Sequence, residues 1–125
     1  MSLDPENTNI GYRLGRLFAA LERLQIRAAT QKGGKEPNST IRDRYYGAAS
    51  GTPITVFGTL IRLSKHHLAK LENVGERINL EKLFGEIMSI FSDFPPYLNM
   101  ADQGRFAIGY YHQMQDFYAK KSDNQ

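Results

Sequence analysis

The sequence contains no cysteine, which excludes disulfide bonds and thiolate chemistry and is compatible with a reducing compartment. It also lacks any apolar run approaching the roughly 18 residues that a membrane-spanning helix needs. The first residues are polar and acidic, unlike a secretory signal. We therefore expect a cytoplasmic protein with a single domain, residues 1–125, and no membrane contact.

Acidic residues are scarce in the first half of the sequence, although the net charge is only +3. Residues 1–71 hold eleven Lys/Arg against five Asp/Glu, whereas residues 72–125 hold five against eight. A basic half joined to an acidic half suggests one surface that faces phosphates and another that faces proteins.

Apolar residues recur with helical spacing in five segments, and no segment shows convincing strand character. Capping residues, glycines and prolines place these segments at about residues 9–29, 40–50, 52–73, 79–91 and 99–121. In this interpretation Thr40 and Asp43 form a capping box, and Asn79 caps the fourth helix. Short loops favour antiparallel neighbours, so the sequence predicts an all-α, compact bundle.

The first predicted helix carries a row of arginines in addition to its apolar stripe. The four arginines share about 80° of arc and span roughly 21 Å of helix rise, so we expect them to point outward toward a polyanion. The second and third helices carry further basic faces, and Tyr45 and Tyr46 lie beside the first of these, where their rings can stack on exposed bases. The predicted nucleic-acid contacts are Arg13, Arg16, Arg23, Arg27, Arg42, Arg44, Arg62, Lys65 and Lys70.

Each of these charges has an ordinary alternative, a solvated helix face, and Glu22 can pair with some of the arginines. No base-reading motif accompanies them, so the predicted contact is with phosphates and independent of base sequence. Three hypotheses remain open from the residues: a phosphate-binding bundle, a protein-only assembly adaptor, and an enzyme.

Signals for an enzyme are weak. His66 and His67 diverge by about 100° on a helix and cannot chelate one ion together. His67 is expected in the core near Val56, Leu60 and Leu63, while His112 and Asp116 lack further ligands. We predict no catalytic residue, no metal and no cofactor.

Six stretches of the chain are more distinctive than ordinary helix sequence. They are Leu14–Ala19, Arg44–Ser50, Thr52–Pro53, His66–Leu71, Phe94–Pro95 and Gln103–Gln113. In sequence and in order, these motifs resemble the C-terminal helical region of the large subunit of type I-C CRISPR Cascade, and the resemblance extends from about residue 11 to residue 121.

In that family the same gene also yields a separate small subunit by internal translation, and this chain has the length and the initial methionine expected of that product. The resemblance implies a non-catalytic bundle, present in more than one copy, that supports the R-loop by holding the displaced non-target DNA strand. The implied partners are the large subunit, the backbone subunits, other copies of the chain and the crRNA-containing complex. The alternative is an excised C-terminal domain of the large subunit.

Overall fold

Five α-helices make up most of residues 2–123, the part of the chain that the computed structural model describes. They are α1 (Ile10–Thr30), α2 (Ile41–Gly51), α3 (Pro53–Lys70), α4 (Val74–Met88) and α5 (Met100–Asp123), and one 3₁₀ turn (Gln31–Gly33) follows α1. These residues contain no strand, so the predicted all-α class and the number of helices are confirmed. Within the same range, no helix has both the length and the apolar character of a membrane span.

The described helices other than α3 begin at side-chain caps. Asn9 Oδ1 accepts a hydrogen bond from the Tyr12 backbone N–H at 3.0 Å, and Asn99 Oδ1 accepts one from the Asp102 backbone N–H at 2.8 Å. The capping box of Thr40 and Asp43 opens α2 as predicted. These caps satisfy backbone donors that the first turn of a helix leaves without partners.

The predicted boundary between the third and fourth helices is wrong. α4 begins at Val74 with Asn73 as its cap, so Asn79 lies inside the helix. α3 ends at Lys70, earlier than predicted, because the Gln31 side chain terminates it. The Gln31 amide donates to the Lys70 carbonyl at 2.7 Å and accepts from the backbone N–H of Glu72 at 3.0 Å.

α1 is the central helix of the bundle. Residues 11–22 are all buried, because each of the other four helices packs on α1. Phe18 contacts Phe57 of α3, while Arg27 and Arg13 reach the beginning and the end of α4 respectively. α4 therefore runs antiparallel to α1. Because the other helices cover residues 11–22 of α1, this part of α1 has no face open to solvent.

Glycines let α1 and α5 pack backbone against backbone. The two helices run parallel, since Gly11 lies against Asp102 and Gly15 lies against Phe106. A Cβ atom at either glycine would overlap the carbonyl group it faces, and one at Gly109 would overlap the carbonyl of Tyr12. The glycines thus bring the helix axes closer than side chains would allow, and this packing outweighs their low helix propensity.

Candidate nucleic-acid interface

The arginine row of α1 does not point to solvent, which corrects the predicted geometry. Arg13 is 7% exposed and Arg16 is 2% exposed, while Arg23 and Arg27 are half-buried. α4 and α5 cover this side of α1, and the guanidinium groups fill the space between the three helices. Helical periodicity showed that these arginines share a face but did not reveal what covers it.

Arg13 joins the N-terminal segment to the end of α4. Its Nη1 donates to the Glu86 carbonyl at 2.8 Å, and its Nε donates to the Asn7 carbonyl at 2.7 Å. Its Nη2 donates to the Pro5 carbonyl at 3.3 Å. The last carbonyls of a helix lack intrahelical partners and carry partial negative charge, so a cation there is stabilising.

Replacing Arg13 with alanine is expected to lower the free energy of unfolding by about 3 kcal/mol, because part-buried carbonyls lose charged donors and the buried arginine side chain leaves a cavity. Urea denaturation followed by circular dichroism measures this loss. Arg105→Ala is the matched control, since Arg105 is exposed and, among the described residues, pairs only with Asp102 at 3.0 Å, and it should cost less than about 1 kcal/mol. Equal losses in the two variants would contradict the capping role of Arg13.

The other three arginines of α1 contact α5 or α4. Arg16 Nε donates to Gln113 Oε1 at 2.9 Å, and Arg23 lies over the ring of Phe117 at 5.6 Å. Burial lowers the pKa of Arg16 and of Arg23, with neighbouring arginines adding to the effect. Arg27 pairs with Glu76 through two hydrogen bonds, of 2.6 and 3.2 Å, and this partner raises the pKa of Arg27.

The remaining five predicted contact residues are exposed, and they lie on two adjacent antiparallel helices. Arg42 and Arg44 occupy the beginning of α2, beside the second half of α3, because α2 and α3 fold back on each other at Gly51–Pro53. We name this set the hairpin basic face. It consists of Arg42, Arg44, Arg62, Lys65 and Lys70.

The segment that carries the hairpin basic face is poor in acidic residues. Residues 40–70 contain a single acidic residue, Asp43, and its carboxylate accepts the backbone N–H of Thr40 in the capping box. Within residues 2–123, none of the five cations forms an ion pair. Exposed cations on adjacent helices that form no ion pair are suited to phosphate contact.

The tyrosines predicted to stack on bases are mainly structural. The Tyr46 ring meets Phe18, Phe106 and Tyr110 edge-on or nearly so, and burial raises its pKa. Tyr45 is half-buried and packs against the core. The guanidinium of Arg42 lies over the Tyr46 ring at 5.9 Å, so this cation approaches the predicted stacking surface.

The sequence did not indicate that Glu22 is a buried carboxylate beneath the α2–α3 hairpin. Glu22 is 4% exposed and accepts hydrogen bonds from the hydroxyls of Thr40, at 2.6 Å, and Tyr110. Burial, followed by the hydrogen bond to Glu22, raises the pKa of Tyr110. The sequence suggested arginine partners for Glu22. Its partners in the structure are instead the hydroxyls of Thr40, which lies 18 positions away in the chain, and of Tyr110, which lies 88 positions away.

The histidines do not come together as a metal site. Within the described residues, no cluster of three or more His, Cys, Asp or Glu could hold a metal ion. His112 is buried, with Nδ1 2.8 Å from the Tyr12 hydroxyl.

His67 is half-buried rather than in the core, and the predicted neighbour Leu63 is exposed. Burial lowers the pKa of His67, with smaller contributions from Lys70 and His66.

Comparison with family models supports a CRISPR-associated protein. A family model described as "CRISPR-associated protein (Cas_Csd1)" matches residues 1–118, which include α1 to α4 and most of α5. No curated protein matches the chain. The matched residues include both the α1 arginines and the whole hairpin basic face.

Proposed function

We propose, from the premise that this chain belongs to the Cas_Csd1 family of CRISPR-associated proteins, that it is the non-catalytic small subunit of a type I-C Cascade complex. In this role it supports the R-loop by holding the displaced non-target DNA strand, without reading its sequence. The proposed partners are the large subunit, the backbone subunits, further copies of the chain and the crRNA they enclose. Internal translation from the gene of the large subunit is part of the same proposal.

The mechanism depends on a near balance of free energies. An RNA–DNA hybrid is about as stable as the DNA duplex that it replaces, so modest contacts to the DNA backbone can shift the equilibrium. Cations that hold the displaced strand oppose its return to the complementary strand. Because these contacts release counterions, they weaken as the salt concentration rises.

The observation that carries the proposal is the hairpin basic face. Five exposed cations lie on adjacent helices without acidic partners, and Arg62 and Lys70 alone span about 12 Å of helix rise. The arginines of α1 have no part in this surface because they are engaged inside the bundle. The proposed strand contacts are therefore the residues of α2 and α3.

A protein-only adaptor is the second candidate, and α5 provides the observation that favours it. Several large apolar or aromatic side chains on this helix are exposed, at helical spacing on the side away from α1. They are Met100, Ile108, Tyr111 and Tyr118. An exposed apolar stripe is typical of a protein contact. An excised large-subunit domain would share this surface and the hairpin basic face.

Reversing three charges of the hairpin basic face tests the proposal. The variant Arg42→Glu/Arg62→Glu/Lys65→Glu should keep its helical circular dichroism but bind single-stranded DNA more weakly. Losing three phosphate contacts should reduce the slope of log affinity against log salt by about 2. Fluorescence anisotropy with a labelled oligo-dT at several salt concentrations measures the slope, and R-loop formation by the reconstituted complex should fall in parallel.

A second triple variant with the same change in net charge serves as the control. Lys82→Glu/Arg105→Glu/Lys120→Glu alters exposed cations of α4 and α5, outside the hairpin. It should retain the salt slope of the parent chain. If both triple variants bind DNA and form R-loops equally well, the hairpin basic face does not hold the strand, and the adaptor is favoured.

A further inference from the structure

An open cleft of about 200 Å³ lies between the end of α1, the end of α3 and the loop that precedes α2. Its lining residues are Gln25, Ala28, Ala29, Pro37, His67 and Lys70. None of them is acidic, and each is exposed or half-buried. Because Lys70 belongs to the hairpin basic face, the cleft adjoins the cations that are proposed to hold the DNA strand.

Two polar side chains of the cleft keep hydrogen-bonding capacity for a ligand. Within residues 2–123, neither ring nitrogen of His67 forms a hydrogen bond. Gln25 Oε1 accepts the backbone N–H of Ile41 at 2.8 Å, which brings the beginning of α2 to the cleft and leaves the Gln25 amide nitrogen to donate elsewhere. Burial lowers the pKa of His67, so its ring is neutral near neutral pH and offers one donor and one acceptor.

We propose that this cleft takes one nucleobase of the displaced strand while Lys70 contacts a neighbouring phosphate, an inference that rests on the proposed function. Tyr45 and Tyr46 pack toward the core, so bases need another ring on which to stack, and the imidazole of His67 provides one. The volume is below the roughly 300 Å³ at which pockets for drug-sized ligands begin, which suits a single flat base. Since every base has an aromatic face, the cleft does not select a sequence.

The polar groups favour a nucleobase over an apolar side chain from a partner protein. The edge of a base carries donors and acceptors that can pair with the Gln25 amide and the His67 ring, whereas an apolar side chain would cover both groups without pairing them. Lys70 also favours a ligand attached to a phosphate over a neutral peptide segment.

Comparing oligo-dT with an abasic oligonucleotide of the same length separates the cleft from the phosphate contacts. Both strands carry the same number of phosphates, so the hairpin basic face alone would bind them equally well. With a base held in the cleft, the chain should bind oligo-dT about tenfold more tightly in fluorescence anisotropy. Equal affinities would overturn the cleft but leave the phosphate contacts standing, whereas failure to bind either strand would overturn both proposals.

Three variants locate this preference. Ala29→Leu fills the cleft without removing a charge, and His67→Ala removes the ring, so each should bring the ratio of the two affinities close to one and keep the salt slope of the parent chain. His66→Ala is the matched control, because His66 is exposed and does not line the cleft, and it should keep the tenfold ratio. A ratio that persists in Ala29→Leu or is lost in His66→Ala would overturn the inference.

The His67 ring also reports the ligand directly, through its Cε1–H resonance in carbon–proton NMR spectra of the whole chain. We expect a saturable shift with thymidine monophosphate and little shift with deoxyribose phosphate, which carries the phosphate without the base. Equal shifts with the two compounds would assign the site to phosphate alone. A shift with N-acetylleucinamide but not with the nucleotide would assign the cleft to a protein side chain. Either outcome would overturn the nucleobase as the ligand.

Discussion

Replacing Gly15 with alanine is expected to lower the free energy of unfolding by about 3 kcal/mol, although alanine is ordinarily the better helix former. The added Cβ would overlap the Phe106 carbonyl and would lie 2.8 Å from the backbone nitrogen of Tyr110. Both neighbours are backbone atoms of α5, so relief requires α1 and α5 to separate. Separation would also disturb the aromatic cluster of Phe18, Phe106 and Tyr110.

The same substitution at Gly104 is the matched control. Gly104 lies in α5, but nothing would stand within 4 Å of its added Cβ. Gly104→Ala should therefore stabilise the chain by about 0.5–1 kcal/mol, through helix propensity alone. Thermal unfolding followed by circular dichroism should show opposite signs for the two variants. A stable Gly15→Ala variant would contradict the close packing of α1 on α5.

Removing the buried carboxylate of Glu22 is the second change with a large expected effect. Glu22→Ala leaves the hydroxyls of Thr40 and Tyr110 without their acceptor and opens a cavity beneath α2. Each unsatisfied buried polar group costs about 1–3 kcal/mol, so the free energy of unfolding should fall by about 3 kcal/mol. Urea denaturation measures the loss.

A double-mutant cycle separates this network from simple loss of packing. Tyr110→Phe removes one of the two donors, and its effect should be much smaller in the Glu22→Ala background than in the parent chain. Glu81→Ala, at an exposed position of α4, is the control and should change stability by less than about 0.5 kcal/mol. Additive effects of Glu22→Ala and Tyr110→Phe would show that the two groups do not act together.

The helices of this chain could be predicted because local chemistry determines where most of them start. Asn9, Asn99 and the capping box at Thr40 act on backbone donors within three residues, so their effect can be read from the sequence alone. The error at α4 came from a remote residue. Gln31, from the turn after α1, ends α3 and leaves Asn73 free to cap the next helix.

The candidate site could be predicted only in part, because periodicity assigns side chains to a face but does not identify the neighbours of that face. The charges of α2 and α3 are exposed as expected. The charges of Arg13 and Arg16 are enclosed by carbonyls of α4 and by an amide of α5, which lie about 70 to 100 positions away. No local pattern distinguishes an arginine that contacts a phosphate from one that caps a distant helix.

The pairing of α1 with α5 also affects how a nascent chain reaches its native state. Arg16 and Gln113 are separated by 97 positions, and α5 is synthesised after α1 to α4. Contacts between distant positions slow folding, because a long loop must close before they form. The side of the central helix that packs on α5 thus stays uncovered until α5 has been synthesised, and a polypeptide truncated before α5 would expose that side to aggregation.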